Sequence, residues 1–352
     1  MTITATAPGK LLISGEYAVL DGAAAISLAV DRHATVTIGP CSDGADSALT
    51  VRTTGDACFP FSWSSDGSID FPVDPAGRGS LLRAALICFS REPAALPVTM
   101  PQVQITIDSA GFYTVPDTMN TDIKLGLGSS AAVCVALTGA LAKLFGIAGD
   151  IQQLALDVHH EFQKKAGSGV DVVNSYQGGM ISYRRSFDEN IAPQTSGLSW
   201  PQGLYMLPVW TGEAASTTEL LARFDRYRDA EPATFGPAMA ELKTAADSLE
   251  AAWQNQPAVS LMDALALHAR KLKDLDTLAG VGIYSARHVD FQKRAAAIGA
   301  VYKPSGAGGG DFGLMFTDSS ATLEQLSAEF AGDIVLKDWS ATASGLHVEG
   351  AL

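Results

Sequence analysis

Short runs in which Ile, Val, Leu and Thr recur with a period of two dominate the first hundred positions. They predict strands at Thr2–Thr6, Leu11–Ser14, Ala34–Ile38, Leu49–Arg52 and Val103–Ile107. The stretches between them at Gly39–Asp46 and Gly55–Gly67 carry Gly, Ser and Asp and read as exposed loops. The period then lengthens. Leu81–Phe89 predicts a short helix, Ser129–Phe145 a longer one, and Ile151–Lys164 a third with separated polar and apolar faces. Ser129–Phe145 is apolar nearly all round and has no face to offer water, so it belongs inside the protein.

From about Arg184 to Gly203 the periodicity fades while Pro, Ser and Gly rise, which divides the chain into domains 1–190 and 191–352. A strand at Leu204–Val209 then precedes helices around Ser216–Phe224, Pro237–Gln254, Val259–Leu275 and Tyr284–Ile298. Strands at Ala300–Lys303, Phe312–Phe316 and Leu346–Glu349 complete the pattern. Strands and helices mix without a strict βαβ rhythm, which favours an α+β fold over a doubly wound parallel sheet.

Composition narrows the classes. The 352 residues are 47% hydrophobic and 18% charged, enough to bury a substantial core. A net charge of −14 argues against a nucleic-acid backbone or an anionic membrane surface as the main partner. A local cluster of donors can still hold a small anion. Cys41, Cys58, Cys88 and Cys134 form no CxxC pair, which argues against a disulfide framework or zinc ribbon and for a reducing compartment. The opening MTITATAPGK lacks the basic and then apolar regions of a signal peptide. The most apolar stretch, Ala131–Ala142, falls short of the roughly 20 residues that span a bilayer. A soluble, cytoplasmic protein is expected.

Three glycine-bearing segments carry the candidate chemistry. In Lys124–Leu141 (KLGLGSSAAVCVALTGAL), Gly126 and Gly128 let backbone approach a ligand where the helix begins at Ser129–Ser130. A helix N-terminus offers unpaired N–H groups and about half a positive charge, which suits phosphate, and a serine hydroxyl there can meet Mg²⁺. The string GxxxxGK[ST] is absent. Gly126–Ala131 does fit GxGxxA, and Asp150 lies at a suitable distance for a ribose carboxylate. The dinucleotide motif should open a βαβ unit, however, and Asp117–Asp122 before it reads as loop. A plain Gly-Ser helix cap is the remaining reading of this segment alone.

The second segment is Ala7–Gly22 (APGKLLISGEYAVLDG), where Lys10 follows a Pro-Gly turn and Glu16-Tyr17 follows Gly15. The third is Lys303–Phe316 (KPSGAGGGDFGLMF), with Gly306, Gly308, Gly309 and Gly310 crowded before a strand. So many glycines are costly to order and exceed what a hairpin needs.

Taken in order along the chain, the three segments resemble the motifs of the GHMP kinase superfamily. A fourth, Gly167–Tyr183 (GSGVDVVNSYQGGMISY), resembles the acidic segment that several members place beside the transferred phosphate. GEYAVLDG, WTGEAAST at Trp210–Thr217 and KPSGAGGGDFG look most like the phosphomevalonate kinase branch, while SGVD at Ser168–Asp171 is shared with mevalonate kinases. The resemblance implies a two-lobed α+β fold, with a ribosomal-S5-like N-terminal lobe, a ferredoxin-like α/β sandwich as the second, and the active site between them. It implies ATP and Mg²⁺ as cofactors and 5-phosphomevalonate as the acceptor, acting as a monomer or homodimer. Mevalonate or another small alcohol is the alternative acceptor, and a non-catalytic sensor of nucleotide or metabolite is the alternative class.

Carried over residue by residue, the resemblance assigns Gly126, Leu127, Gly128, Ser129, Ser130 and Ala131 to the ATP cradle. Lys10, Lys124 and Asp171 would be catalytic. Glu16, Tyr17, Ser168, Ser216, Ser305, Gly306 and Gly308 would meet the acceptor, and Ser130 and Glu161 the metal. Asp171 could equally cap a helix starting at Val172, and Glu161 could lie on exposed helix surface.

Overall fold

The computed structural model describes residues 2–351 apart from 42–45, 74–76, 93–95, 115–121, 165–166, 189–190, 256–257, 337–338 and 340–343. The loop expected over 117–122 therefore falls outside the described residues up to 121. The chain opens with β1 (Ile3–Ser14), β2 (Ala25–Pro40), β3 (Ser47–Arg52), β4 (Asp56–Trp63) and β5 (Ile69–Asp70). Next come α1 (Ser80–Phe89), β6 (Val103–Asp108), β7 (Tyr113–Thr114) and β8 (Ile123–Lys124). The helices α2 (Ser129–Phe145), α3 (Ile151–Gln163) and α4 (Val170–Gln177) lead to β9 (Met180–Arg184) and β10 (Gln194–Leu198). The second half holds β11 (Tyr205–Trp210), α5 (Thr217–Ala230), α6 (Pro232–Asn255), α7 (Ala258–Ala279) and α8 (Ala286–Ala297). It ends with β12 (Val301–Pro304), β13 (Phe312–Thr317), α9 (Ser320–Glu329), β14 (Ile334–Val335) and β15 (His347–Gly350).

The first sheet runs β10–β9–β2–β6–β3–β4–β5, with β1 paired to β2 and β15 to β1. Helices α1 to α4 supply Leu82, Leu86, Val135, Leu141, Leu154 and Val172 to the core under this sheet. The second sheet, β12–β13–β11–β14, is antiparallel, and Phe291 of α8 and Leu326 of α9 pack on Val209 and Met315. This is the expected mixed α+β architecture. A further cluster joins the lobes: Leu11, Phe112, Leu125 and Leu127 from the first lie with Trp210, Leu249, Phe312 and Leu314 from the second.

Several expectations need correction. The strands expected at Thr2–Thr6 and Leu11–Ser14 are the ends of one strand. Pro8-Gly9 makes a register shift against β2 rather than a turn. The loop expected at Gly55–Gly67 contains β4, where Phe59 and Phe61 alternate inward between exposed neighbours. The Arg184–Gly203 stretch includes β10, which is hydrogen-bonded to β9. Both β10 and β15 lie beyond the division placed at 190/191, yet both belong to the first sheet. Helix α9 carries too shallow an apolar stripe to stand out in the sequence, with Leu326 its one buried residue.

Helix α2 keeps the bounds read from its sequence, between Gly128 and Gly146, both left-handed. Its middle rests on the C-terminal strand. A Cβ added at Gly139 would come within 3.0 Å of the Leu346 and Val348 side chains. Gly139→Val should therefore overpack this contact and destabilise the fold by about 1–3 kcal/mol, read as a lower urea midpoint. An unchanged midpoint would show that α2 does not rest on the returning strand.

Candidate active site

Between Leu125 and Gly128 the chain alternates a large side chain with none. Leu125 and Leu127 are 3% and 1% exposed and plug the core between the lobes. Gly126 and Gly128 consequently line a cleft with a cavity volume of about 280 Å³. Gly128 is the N-cap of α2 with φ 74°, and it supplies no capping side chain. The first-turn N–H groups of α2 therefore open beside Ser129 and Ser130, which also line the cleft. Leu127 and Ala131 are core residues that hold the cradle from behind rather than lining it.

Strand β1 is bound to this loop. The Lys10 N–H donates to the Leu127 carbonyl at 2.8 Å. A Cβ on Gly9 would stand 2.5 Å from that carbonyl oxygen and from the Phe112 ring, so only glycine permits the approach. The Lys10 stem then passes over Gly128, 3.2 Å from where a Cβ would be, and its Nζ lies 3.8 Å from where a Cβ on Gly306 would be. Lys10 is half-buried at the cleft and Lys124 stands exposed at it.

The third motif is held by contacts that explain its glycines differently from a phosphate cradle. Asp276 accepts N–H bonds from Gly282, Ile283 and Tyr284 at 2.7, 2.9 and 2.8 Å. The turn so fixed receives the Gly309 N–H at the Ile283 carbonyl, 2.8 Å away. A Cβ on Gly308 would lie 2.5 Å from that same oxygen. Gly308 is thus a packing glycine outside the cleft, while Gly306 lines it.

The first and third motifs are laced together across the lobes. Ser305 Oγ accepts the Leu12 N–H at 3.1 Å and donates to the Leu12 carbonyl at 3.0 Å. Tyr17 donates its hydroxyl to the Ala307 carbonyl at 2.7 Å. Lys303 donates to Glu16 Oε1 at 2.5 Å and to the Pro304 carbonyl at 2.7 Å, and both charged side chains are fully buried. Burial pushes the Glu16 carboxyl up and the Lys303 ammonium down, and each group's charge pulls the other back. Glu16, Tyr17 and Ser305 line the cleft, but the Tyr17 and Ser305 hydroxyls and Glu16 Oε1 are already engaged between lobes, which leaves Glu16 Oε2 without a hydrogen bond among the described residues.

Asp171 sits in the first turn of α4, half-buried on the cleft wall, with Oδ1 accepting the Val172 N–H at 3.0 Å. The helix starts at Val170, two residues earlier than expected, with Gly169 as its N-cap, so Asp171 lies inside the first turn rather than capping it. Ser168 also lines the cleft, and its carbonyl accepts the Tyr183 hydroxyl at 2.5 Å. Besides Gly308, Leu127 and Ala131, two more expected residues stand outside the cleft lining. Glu161 is exposed on α3 and pairs with Arg91 at 3.2 Å, outside the cleft. Ser216 is the exposed N-cap of α5, accepting the Glu219 N–H at 3.4 Å. Asp311, the charged residue inside SGAGGGDFG, lines the cleft and was not singled out from sequence.

The open helix N-terminus at Gly128 and two lysines at the cleft fit a nucleotide's phosphates. No group of three or more His, Cys, Asp or Glu among the described residues is placed to hold a metal ion. A divalent cation would therefore need oxygens from the nucleotide itself, with Ser130 and a cleft carboxylate as protein partners.

Fold and cleft together define a two-lobed enzyme class that transfers phosphoryl groups to small molecules. The chain belongs to the GHMP kinase superfamily of ATP-dependent kinases. Residues 81–179 match the family model for the GHMP kinases N terminal domain. The phosphomevalonate kinase of Streptomyces sp. (strain CL190) is 30% identical, over 92% of each chain. The mevalonate kinase of Thermococcus sibiricus is 28% identical, over 88% of this chain and 87% of its own. The Streptococcus pneumoniae phosphomevalonate kinase, solved in complex with phosphomevalonate and AMPPNP, superposes with a TM-score of 0.71 at 20% identity, covering 98% and 99% of the two chains. Among the described residues no helix is long and apolar enough to cross a membrane.

Two buried histidines brace this region. His268 Nε2 accepts the Gly15 N–H at 3.2 Å, and His288 sits between the Tyr302 hydroxyl and the Gly310 carbonyl. Burial lowers His268 to about 3 and His288 to about 4, so both are neutral in the fold. In the unfolded chain they titrate near about 6.5. Their stabilisation is therefore complete above that value and is lost as the pH falls toward the folded values, by up to about 1.4 kcal/mol per unit for each. Unfolding free energy should drop by roughly 2–4 kcal/mol between pH 7 and pH 5 in urea titrations. A flat profile would show that these rings carry protons in the fold.

Proposed function

We propose that the protein transfers the γ-phosphoryl group of ATP to (R)-5-phosphomevalonate, forming (R)-5-diphosphomevalonate, in the cytoplasmic mevalonate route to isoprenoids. The observation that carries this reading is the meeting of Lys10, the α2 N-terminus and the Ser305–Gly306 turn in one cleft, beside Asp171. The phosphomevalonate kinase likeness over 92% of the chain supports the choice of acceptor.

Phosphoryl transfer asks for positioning and charge compensation more than covalent chemistry from the protein. The N–H groups at Gly128–Ser130 hold phosphate oxygens. Lys10, fixed by its backbone bond to Leu127, compensates charge on the moving group, and Lys124 adds a second positive charge at the cleft. Ser130 is the hydroxyl we assign to the cation. When bound with the nucleotide, Mg²⁺ offsets charge on the β- and γ-phosphates. The bond from the γ-phosphorus to the bridging oxygen breaks, one forms to an oxygen of the acceptor phosphate, and ADP leaves.

Asp171 bears on the choice of acceptor. A phosphate monoester has a second pKa of about 6 and is mostly dianionic at neutral pH, so it needs no base. Asp171 then orients Lys10 or the acceptor. The second reading, mevalonate as acceptor, requires a base for the alcohol proton, and Asp171 on the cleft wall would serve. The Thermococcus mevalonate kinase likeness favours that reading.

A coupled ADP-release assay with ATP and each acceptor decides between them. Turnover should follow 5-phosphomevalonate and not mevalonate, and the reverse preference would overturn the assignment. Lys10→Ala should lower kcat by about 10²–10³-fold while leaving thermal stability nearly unchanged. A near-wild-type rate would remove Lys10 from the chemistry.

A further inference from the structure

Asp311 occupies an unusual place. It ends the run Gly306–Gly310, and its backbone is left-handed at φ 56°, rare for a residue with a side chain. Two main-chain bonds hold it there: its N–H donates to the Glu213 carbonyl, and its carbonyl accepts the Thr211 N–H, both at 2.8 Å. The side chain is thereby aimed across the lobes at the phosphate loop. A Cβ on Gly126 would fall 2.2 Å from Oδ2 and 2.0 Å from Cγ, so the carboxylate lies directly on the Gly126 Cα. Gly126 lacks a side chain because Asp311 fills the space.

Oδ1 receives a long N–H bond from Ala215 at 3.4 Å. Neither Lys10 nor Lys124 is within ion-pair distance of Asp311; burial pushes its carboxyl up, and the Ala215 N–H and the charges of Lys10 and Lys124 pull it partly back. Asp311 is thus a half-buried carboxylate inside an anion cradle, without a cation paired to it. Such a group does not help to hold bare phosphates. It raises the energy of a metal-free nucleotide, and does so far less once a divalent cation has cancelled part of the phosphate charge.

We propose that Asp311 is a specificity-determining residue that makes the cleft discriminate metal-loaded from metal-free nucleotide. This rests on the nucleotide assignment of the α2 cradle and adds a role for the third motif. The mechanism is electrostatic exclusion. Two charges a few ångströms apart in a partly dry site interact strongly enough to alter affinity by about tenfold or more. The carboxylate need not touch the cation, which fits the absence of a clustered metal site among the described residues.

The experiment measures ADP affinity by calorimetry on the full chain, once with excess Mg²⁺ and once with EDTA. Wild type should favour the Mg²⁺ condition. Asp311→Asn, which keeps the shape and removes the charge, should tighten ADP binding in EDTA by about tenfold and change it less than threefold with Mg²⁺. Thermal melting of the variant checks that the lobes remain assembled, and Asp311→Glu, which keeps the charge, provides a second test if Asn disturbs the turn. It should retain discrimination between the two conditions. An unchanged ratio in Asp311→Asn would overturn the proposal. So would weaker binding confined to the Mg²⁺ condition, since that marks a direct metal ligand. Wild type that binds no ADP in either condition would instead overturn the nucleotide assignment of the cradle.

Discussion

One buried ion pair sets the conditions for everything at the cleft. Glu16 comes from the first lobe and Lys303 from the second, and both are fully enclosed. Removing two ions from water costs several kcal/mol each, which only close pairing and further hydrogen bonds offset. The pair is consequently a poor source of net stability and a strong determinant of register. Any slip of one lobe against the other strands a charge. Ser305 on Leu12 and Tyr17 on Ala307 sit beside this contact and use the same alignment. The cleft between first and third motifs is fixed in width because the interaction that spans it cannot be half made.

Local strain is placed where the same alignment can hold it. Tyr17 and Asp311 both take left-handed backbone conformations, at φ 59° and 56°. Each costs on the order of 1–3 kcal/mol and survives only where the surroundings over-determine it. Tyr17 packs at a tilt against the Phe224 ring and is hydrogen-bonded to Ala307. Asp311 is held by Glu213 and Thr211. Both therefore face the cleft from positions held by contacts within the chain.

How much of this was legible depended on whether a residue's environment was local. Helix α2 could be read to its ends because an apolar run between two left-handed glycines leaves few alternatives. The cradle could be read because Leu-Gly-Leu-Gly alternates burial with access in the sequence itself. Strand β4 was hidden by Pro60 and Ser62, which fall on its exposed face and alternate with the inward Phe59 and Phe61. Edge strand β10 has no alternation to find, since it buries almost nothing. Gly126 was assigned to the ATP cradle and Gly308 to the acceptor, but their missing side chains make room for Asp311 and Ile283. Those neighbours are remote in sequence, so no pattern along the chain could reveal them. Glu161 was assigned to the metal by resemblance alone, and it lies on the outward face of α3, where the exposed-surface reading holds and it pairs with Arg91.

The acidity of the whole chain gives the cleft its last constraint. A net charge of −14 repels a polyanionic nucleotide at long range. That repulsion is screened beyond about 10 Å at moderate salt, and inside that distance only local groups count. The local groups are the backbone N–H donors of the α2 N-terminus, Lys10 and Lys124, set against Asp171 and Asp311. The lysine and aspartate charges cancel, so net attraction for phosphate must come from oriented amides. Amides attract only when they point correctly, and here their direction depends on Leu125 and Leu127 being buried in the core between the lobes. Hydrophobic packing behind the loop, rather than an excess of positive charge in front of it, is what suits this cleft to an anion.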